Sequence, residues 1–495
     1  MLPSSDLFDL IHTMSKAEKR HFKMYVARNS KTGSNYLRLF DAIDKQKIYN
    51  EEKLEGAKYG KRLASTKSFL YELILKSLRQ SHTDKLVDTR LADMLTQAEV
   101  LFHKSLYRQS KKILIKARKI ASEYEVWMAL YKIVQWEIRL MNHLNTKKPL
   151  EELTKLQTKL SRLANIIRQE MAYDNLCGHA QILQRKYTLP LKTHQEQVLK
   201  TIIQSPMMRH EPLAIGLQSR IAYHSVRSIY HGISQADKPS LEALEEVRNI
   251  WKRHPALAEA QREDFIKTTV ELIANGLCSQ IQFDYLGLIE LLEVLPTSAP
   301  QALEKRHFLL TTLRFAYGLH SNNLTYCKRL LPEIQAALQP EMTEKLSQYE
   351  QTYLYKQLAM YYFLVKDFTK AIDWLEVVQS YEHYGFFNDF RHFSRLMQLL
   401  VYFNRQHYSL IESKLRSIEH YTKTSEGIEA IEQITLKCIK DILRAKTEKE
   451  EKILLEKLYN SVSDTSKKHT RFPYKSGLIR QWLGNKVRTA IPNSQ

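Results

Sequence analysis

Glycine and proline are both scarce in this chain of 495 residues, at 13 apiece. Loops that cradle phosphates depend on the backbone freedom of glycine. The chain carries no GxGxxG after a strand, no Walker phosphate loop, no HExxH, no GxSxG and no EF-hand loop. The usual signatures of nucleotide binding, zinc proteolysis and serine hydrolysis are therefore absent. A helical enzyme assembled from carboxylates on separate helices would leave no such signature, but none of the 18 histidines falls in a ligand pattern, and a noncatalytic protein is the expectation. Cysteine is rarer still: Cys177, Cys278, Cys327 and Cys438 lie far apart with no CxxC or Cys/His spacing, so they read as reduced, mostly buried thiols. No metal site and no cofactor are expected. Long apolar runs are missing too, the best candidates, such as 399–403, being far short of the ~18 residues that a membrane span needs. The opening MLPSSDLFDL has no basic stretch before an apolar core, and Asp6 and Asp9 interrupt it, so no secretion signal is read. The sequence predicts a cytoplasmic protein.

What the chain does have is helix-forming material. Hydrophobic residues make up 43%, with abundant Leu, Lys, Glu and Gln and little sign of sheet or disorder. The formal net charge is +21, and its distribution matters more than its size. Residues 1–200 hold 37 basic and 21 acidic residues, residues 201–450 hold 29 and 30, and residues 451–495 hold 9 and 3. Positive potential belongs to the first two fifths and the tail.

Leu7, Leu10, Ile11 and Met14 predict an opening amphipathic helix, and Ser15 with Glu18 forms a capping box for a second. Asn35 to Gln46 predicts a third, with Tyr36, Phe40 and Ile43 inward, and Lys61 to Gln80 a longer one with Leu63, Leu70, Ile74 and Leu78 inward. Residues 1–90 thus form an N-terminal helical module. It is either a helix-turn-helix reader of DNA or the N-terminal cap of a solenoid; no Asn/Gln/Arg cluster opens a helix as base reading would favour. Residues 91–190 read as basic hairpins and a long helix from Pro149, where Leu153, Leu156, Leu160, Leu163 and Ile167 repeat at 3,4 spacing, packing against Tyr131, Val134 and Ile138. Thr188-Leu-Pro190, beside the change of charge, ends it.

The most informative stretch is 353–379. Tyr355, Leu358, Ala359 and Tyr362 share one face of a first helix; after a break at Lys366 and Asp367, Phe368, Ala371, Leu375 and Val378 define a second. The small Ala359 and Ala371 let the two approach closely. Neither helix can bury its face alone, so such a hairpin implies stacked neighbours. The spacing recurs at Leu399, Tyr402, Tyr408, Ile411, Leu415 and Ile418, and at Ala98, Leu101, Tyr107, Ser110, Leu114 and Ala117; between 195 and 300 it is weak. The pattern resembles the tetratricopeptide repeat, with alanine where the first helix usually has glycine and valine in place of the last small residue. The chain as a whole is also similar to bacterial repeat proteins of no assigned function. The resemblance implies an all-α fold, helix hairpins stacked into an α-solenoid across 191–430, with 431–495 as a C-terminal helical cap and tail in which Leu478, Ile479, Trp482 and Leu483 share one side.

The resemblance also implies a concave groove lined by Tyr353, Lys356, Met360 and Phe363 of one helix and Phe393, Leu396, Leu400 and Phe403 of the next. Aromatic residues and methionine there suit an apolar peptide or helix, whereas core packing between repeats is the plainer use of the same residues. Family members that clamp a peptide carboxylate pair a lysine with an asparagine; here Met360 follows Lys356 by one turn, which argues against that ligand. The expectation is an interaction scaffold binding a protein segment. The alternative is nucleic-acid or ribonucleoprotein binding through the basic first 200 residues, with Lys111, Lys112, Lys116, Arg118 and Lys119 as candidate polyanion contacts; a solvated outer helix is the plainer reading. An aromatic cluster, Tyr381, His383, Tyr384, Phe386, Phe387, Phe390 and Phe393, lies between the two best repeats. Neither a membrane nor a small-molecule substrate is indicated.

Overall fold

Leu, Lys, Glu and Gln favour the helix over other backbone states, and the computed structural model of the chain is all-α, with no strand among the described residues. The structure describes residues 5–29, 33–54, 63–82, 86–144, 148–186, 193–234, 236–279, 281, 283–295, 300–343, 346–380, 388–424, 430–445, 447–468 and 482–483. Lys61, Arg62, the Thr188-Leu-Pro190 stop, Leu478, Ile479 and the aromatic residues 381–387 lie outside them. None of the described helices is long and apolar enough to cross a membrane. The chain divides into two compact units, one of Met1–Arg168 with Leu295–Arg306, the other of Gln169–Val294 with His307–Gln495.

In the first unit, helices Asp6–Thr13, Lys16–Asn29, Gly33–Asp44 and Leu63–His82 close around one core. Ile11, Phe22, Phe40, Ile43, Leu70 and Ile74 are fully buried there, each worth roughly 1.5–3 kcal/mol of removal from water. The expected capping box forms: the Ser15 backbone N–H donates to Glu18 Oε2 at 2.7 Å, and the Glu18 N–H donates to Ser15 Oγ at 3.3 Å. A second core gathers helices Val87–His103, Tyr107–Glu123 and Trp127–Met141 with the start of helix Pro149–Lys186. The 3,4-spaced Leu156, Leu160 and Leu163 join the same cluster as Tyr131, Val134 and Ile138.

In the second unit, Tyr173, Ala180 and Leu183 pack with Leu199, Tyr223 and Val226. A larger core then runs from Phe308 to Leu483.

A single local geometry recurs across both units. Five helix pairs among the described residues, Val87–His103 with Tyr107–Glu123, Leu217–Ile233 with Asp237–Arg253, Pro300–His320 with Leu324–Ala337, Gln348–Leu364 with Phe368–Ser380, and Asn388–Asn404 with Tyr408–Thr424, are each joined by a three-residue turn. Wherever its central residue is described, that residue is left-handed: Ser105, Asn322, Lys366 and Gln406 have φ of 61, 55, 64 and 59°. The residue after it donates its N–H back to the carbonyl five positions earlier, as in Leu106 to Leu101 (2.9 Å), Ala236 to His231 (2.8 Å), Asn323 to Gly318 (2.8 Å) and His407 to Tyr402 (3.1 Å). This bonding satisfies a carbonyl that the helix end would leave orphaned. The Glu123 to Trp127 turn repeats it, with Glu125 at φ 53° and Val126 bonded to Ala121.

The crossing point of each pair recurs as well. Ser110 Oγ donates to the Ala98 carbonyl at 2.8 Å, Ser240 Oγ to Ser228 at 2.8 Å, and Cys327 Sγ to Phe315 at 3.7 Å, always twelve residues back. In the remaining two pairs the equivalent residues are Ala359 with Ala371 and Leu399 with Ile411, all buried. The pair at 217–253 carries the geometry with little of the sequence spacing, Ser228 and Ser240 standing where the pair at 348–380 has Ala359 and Ala371.

Candidate functional site

Helix Gln348–Leu364 carries half of the groove residues read from sequence. It begins at a capping box in which the Ser347 N–H donates to Glu350 Oε2 at 2.8 Å and the Glu350 N–H donates to Ser347 Oγ at 3.3 Å. Its low amphipathicity has a structural reason: it packs on its own hairpin partner, on helix Leu324–Ala337 before it and on helix Asn388–Asn404 after it. Burial follows on nearly all sides. Met360, Phe363, Phe393, Leu396, Leu400 and Phe403 all lie in the core rather than on an open groove. Only Tyr353 and Lys356 of the eight are partly exposed. Large apolar side chains between packed helices gain more from packing than from facing water, and those six are enclosed in this way.

Phe403 is packed against Trp482. Trp482 is 6% exposed and stands edge-on to Phe403, with ring centroids 5.7 Å apart at 79°, and Leu483 is fully buried. The Lys356 ammonium sits over the Phe393 ring, 5.1 Å from its centroid. Lys356 also lies close enough to His320 to act on it. Burial, with the Lys356 charge adding to it, pushes the His320 imidazole down to about 3. His320, Lys356 and Phe393 thus bring three successive hairpins together. Sequence spacing did not single out His320, because nothing in its neighbours marks a lone helical histidine as enclosed. Gln357 and Gln398, on two successive first helices, bury their amide groups with no hydrogen-bond partner among the described residues. Such groups cost about 1–3 kcal/mol each when left unpaired.

The second candidate surface is helix Tyr107–Glu123. Ser110, Leu114, Ala117 and Ala121 turn inward, which leaves Lys111, Lys112, Lys116 and Lys119 exposed. None of these four has a carboxylate within ion-pair distance among the described residues. Arg118 departs from the expectation. Its guanidinium is paired with Glu137 of helix Trp127–Met141, a carboxylate with only 10% of its side chain exposed, and burial lowers the arginine's pKa. It braces two helices and is not a free cation. Lys159 is likewise pushed down, first by burial and then by the nearby Arg118 charge.

Elsewhere, Glu211 accepts from Arg220 Nε at 2.9 Å and lies 3.4 Å from His224. Burial lowers the His224 pKa despite the carboxylate beside it. No group of three or more His, Cys, Asp or Glu that could hold a metal ion occurs among the described residues. Compared with known proteins, the chain matches no protein-family model, no curated protein and no solved structure.

Proposed function

We propose that the chain is a noncatalytic cytoplasmic interaction scaffold, built of tetratricopeptide-like helix pairs stacked as an α-solenoid, and that it binds a protein segment through its C-terminal repeats. The observation that carries this reading is the recurrence of one helix-pair geometry in five places among the described residues, with a left-handed turn wherever its central residue is described and, in three of the pairs, a hydrogen bond from a side chain to the carbonyl twelve residues back. Stacked hairpins of this kind make extended binding surfaces without any catalytic group. Tyr353 and Lys356, both partly exposed, are the handholds of that surface. The test is site-specific photocrosslinking from position 353 of the full chain in cell extract, read by mass spectrometry. A recurrent polypeptide segment, lost on Lys356→Glu, is expected; crosslinks spread over unrelated proteins and indifferent to that change would overturn the reading.

A second reading is favoured by the four unpaired lysines of helix Tyr107–Glu123: nucleic acid or a ribonucleoprotein bound through the basic first 200 residues. Charge reversal at Lys111, Lys112, Lys116 and Lys119, with Arg118 left on Glu137, should abolish RNA or DNA binding at physiological salt. Absence of any such binding in the unmodified chain would remove this reading.

A further inference from the structure

Helix Lys16–Asn29 presents its outer face as a shallow concavity of about 480 Å³, lined by Lys16, Lys19, Arg20, Lys23, Met24 and Ala27. These positions fall at i, i+3, i+4, i+7, i+8 and i+11, so they form a single stripe. The opposite face carries Phe22 and Val26 into the core, which fixes the stripe outward.

The four cations are of two kinds. Lys19 reaches Asp44 at 2.5 Å, and Lys23 reaches Asp41 at 2.7 Å while lying over the Phe40 ring at 5.8 Å. Those two tie the helix to Gly33–Asp44. Lys16 and Arg20 are exposed, and neither has a carboxylate within ion-pair distance among the described residues. Glu18, on the same helix, is turned back to the Ser15 cap. The stripe therefore keeps a surplus of two positive charges over the two aspartates that touch it. Between the charged heads, its floor is the side chain of Met24, 47% exposed, the methyl of Ala27 and the methylene stems of the lysines.

That combination selects among polyanions. A single-stranded nucleic acid gains from charge together with aromatic stacking platforms, and no aromatic ring lines this stripe among the described residues. An acidic amphipathic helix gains from both parts, since its apolar stripe covers Met24 and Ala27 and its carboxylates meet Lys16 and Arg20. We propose that the outer face of helix Lys16–Asn29 is a docking site for an acidic amphipathic helix of a protein partner. It is distinct from the C-terminal repeats and does not depend on them.

The test uses the full chain immobilised at physiological salt with three probes. The first is a pool of 18-residue peptides with apolar residues at i, i+3, i+4 and i+7, Asp or Glu flanking them, and the remaining positions randomised. The second is the same pool with serine at the apolar positions, and the third is a single-stranded RNA of equal charge. Retention of the first pool at least tenfold above the other two is expected. That retention should fall at least tenfold in a Lys16→Glu/Arg20→Glu variant and severalfold in Met24→Ser. All three changes are on exposed positions, and unchanged helical circular dichroism would establish that the variants remain folded. No retention of the first pool, equal retention of the serine pool, preference for RNA, or indifference to the Lys16 and Arg20 reversal would each overturn the proposal.

Discussion

Trp482 meets Phe403 edge-on, at 5.7 Å between ring centroids, and so joins residues some eighty positions apart in one core. An aromatic pair in this geometry contributes ~0.5–1.5 kcal/mol beyond the burial of its area. Trp482→Ala and Phe403→Ala should each lower stability by about 3 kcal/mol. The double variant should lose less than the sum, by about 1 kcal/mol, in urea denaturation followed by circular dichroism. Full additivity would mean that the two rings stabilise the protein independently.

The repeated turns hold left-handed residues that are not glycine: Ser105, Glu125, Asn322, Lys366 and Gln406. A side chain in this conformation costs roughly 1–2 kcal/mol, against which glycine loses backbone entropy. Lys366→Gly and Gln406→Gly are therefore expected to stabilise by about 0.5–1 kcal/mol each, visible as a higher Tm. Proline in either place should destabilise by more than glycine gains, since it cannot adopt a positive φ.

Gly318 has no room for a side chain. A β-carbon there would stand 2.6 Å from Cys327 Sγ and 3.0 Å from Tyr326 Cδ1, at the crossing of its hairpin. Gly318→Ala should cost about 1–3 kcal/mol by overpacking, and Gly318→Ala with Cys327→Ala should recover part of it. Burial pushes the Cys327 thiol up to about 12, so Cys327 should resist alkylation at pH 8 in the native protein and label on unfolding.

His320 sets a pH dependence. Its folded pKa of about 3 lies below the ordinary value of 6.5, so between the two the unfolded chain binds the proton and the folded one does not. Stability is complete above pH 6.5 and declines as pH falls toward 3. The His320 contribution between pH 7 and pH 5 is about 1–2 kcal/mol. His320→Gln should flatten the stability profile over that range in denaturation series at fixed pH. An unchanged slope would place the titration elsewhere, with His224 next in line because burial lowers it too.

The all-helical fold was legible because helix periodicity is local. Ser15 with Glu18, the inward Phe40 and Ile74, and the 3,4 leucines after Pro149 are each fixed by neighbours within a few turns. The hairpins at 348–380 and 388–424 were legible for the same reason, since Ala359 and Ala371 advertise a close approach. The helices at 217–253 and 300–337 were legible as pairs too; what has no sequence mark is their contact, where Ser240 and Cys327 each hydrogen-bond to a carbonyl twelve residues back.

Which apolar faces stay open is decided only when the elements pack. Met360, Phe363, Phe393, Leu396, Leu400 and Phe403 have the spacing of a groove, yet neighbouring helices and Trp482 bury them. Charge behaves likewise: Arg118 is one basic residue among five in sequence, and only the approach of Glu137 separates it from four free lysines. Sequence by itself determined the helices and where positive charge is plentiful, because both depend on residues close along the chain. Tertiary structure alone decided which side chains meet water, because burial and ion pairing depend on residues brought from elsewhere.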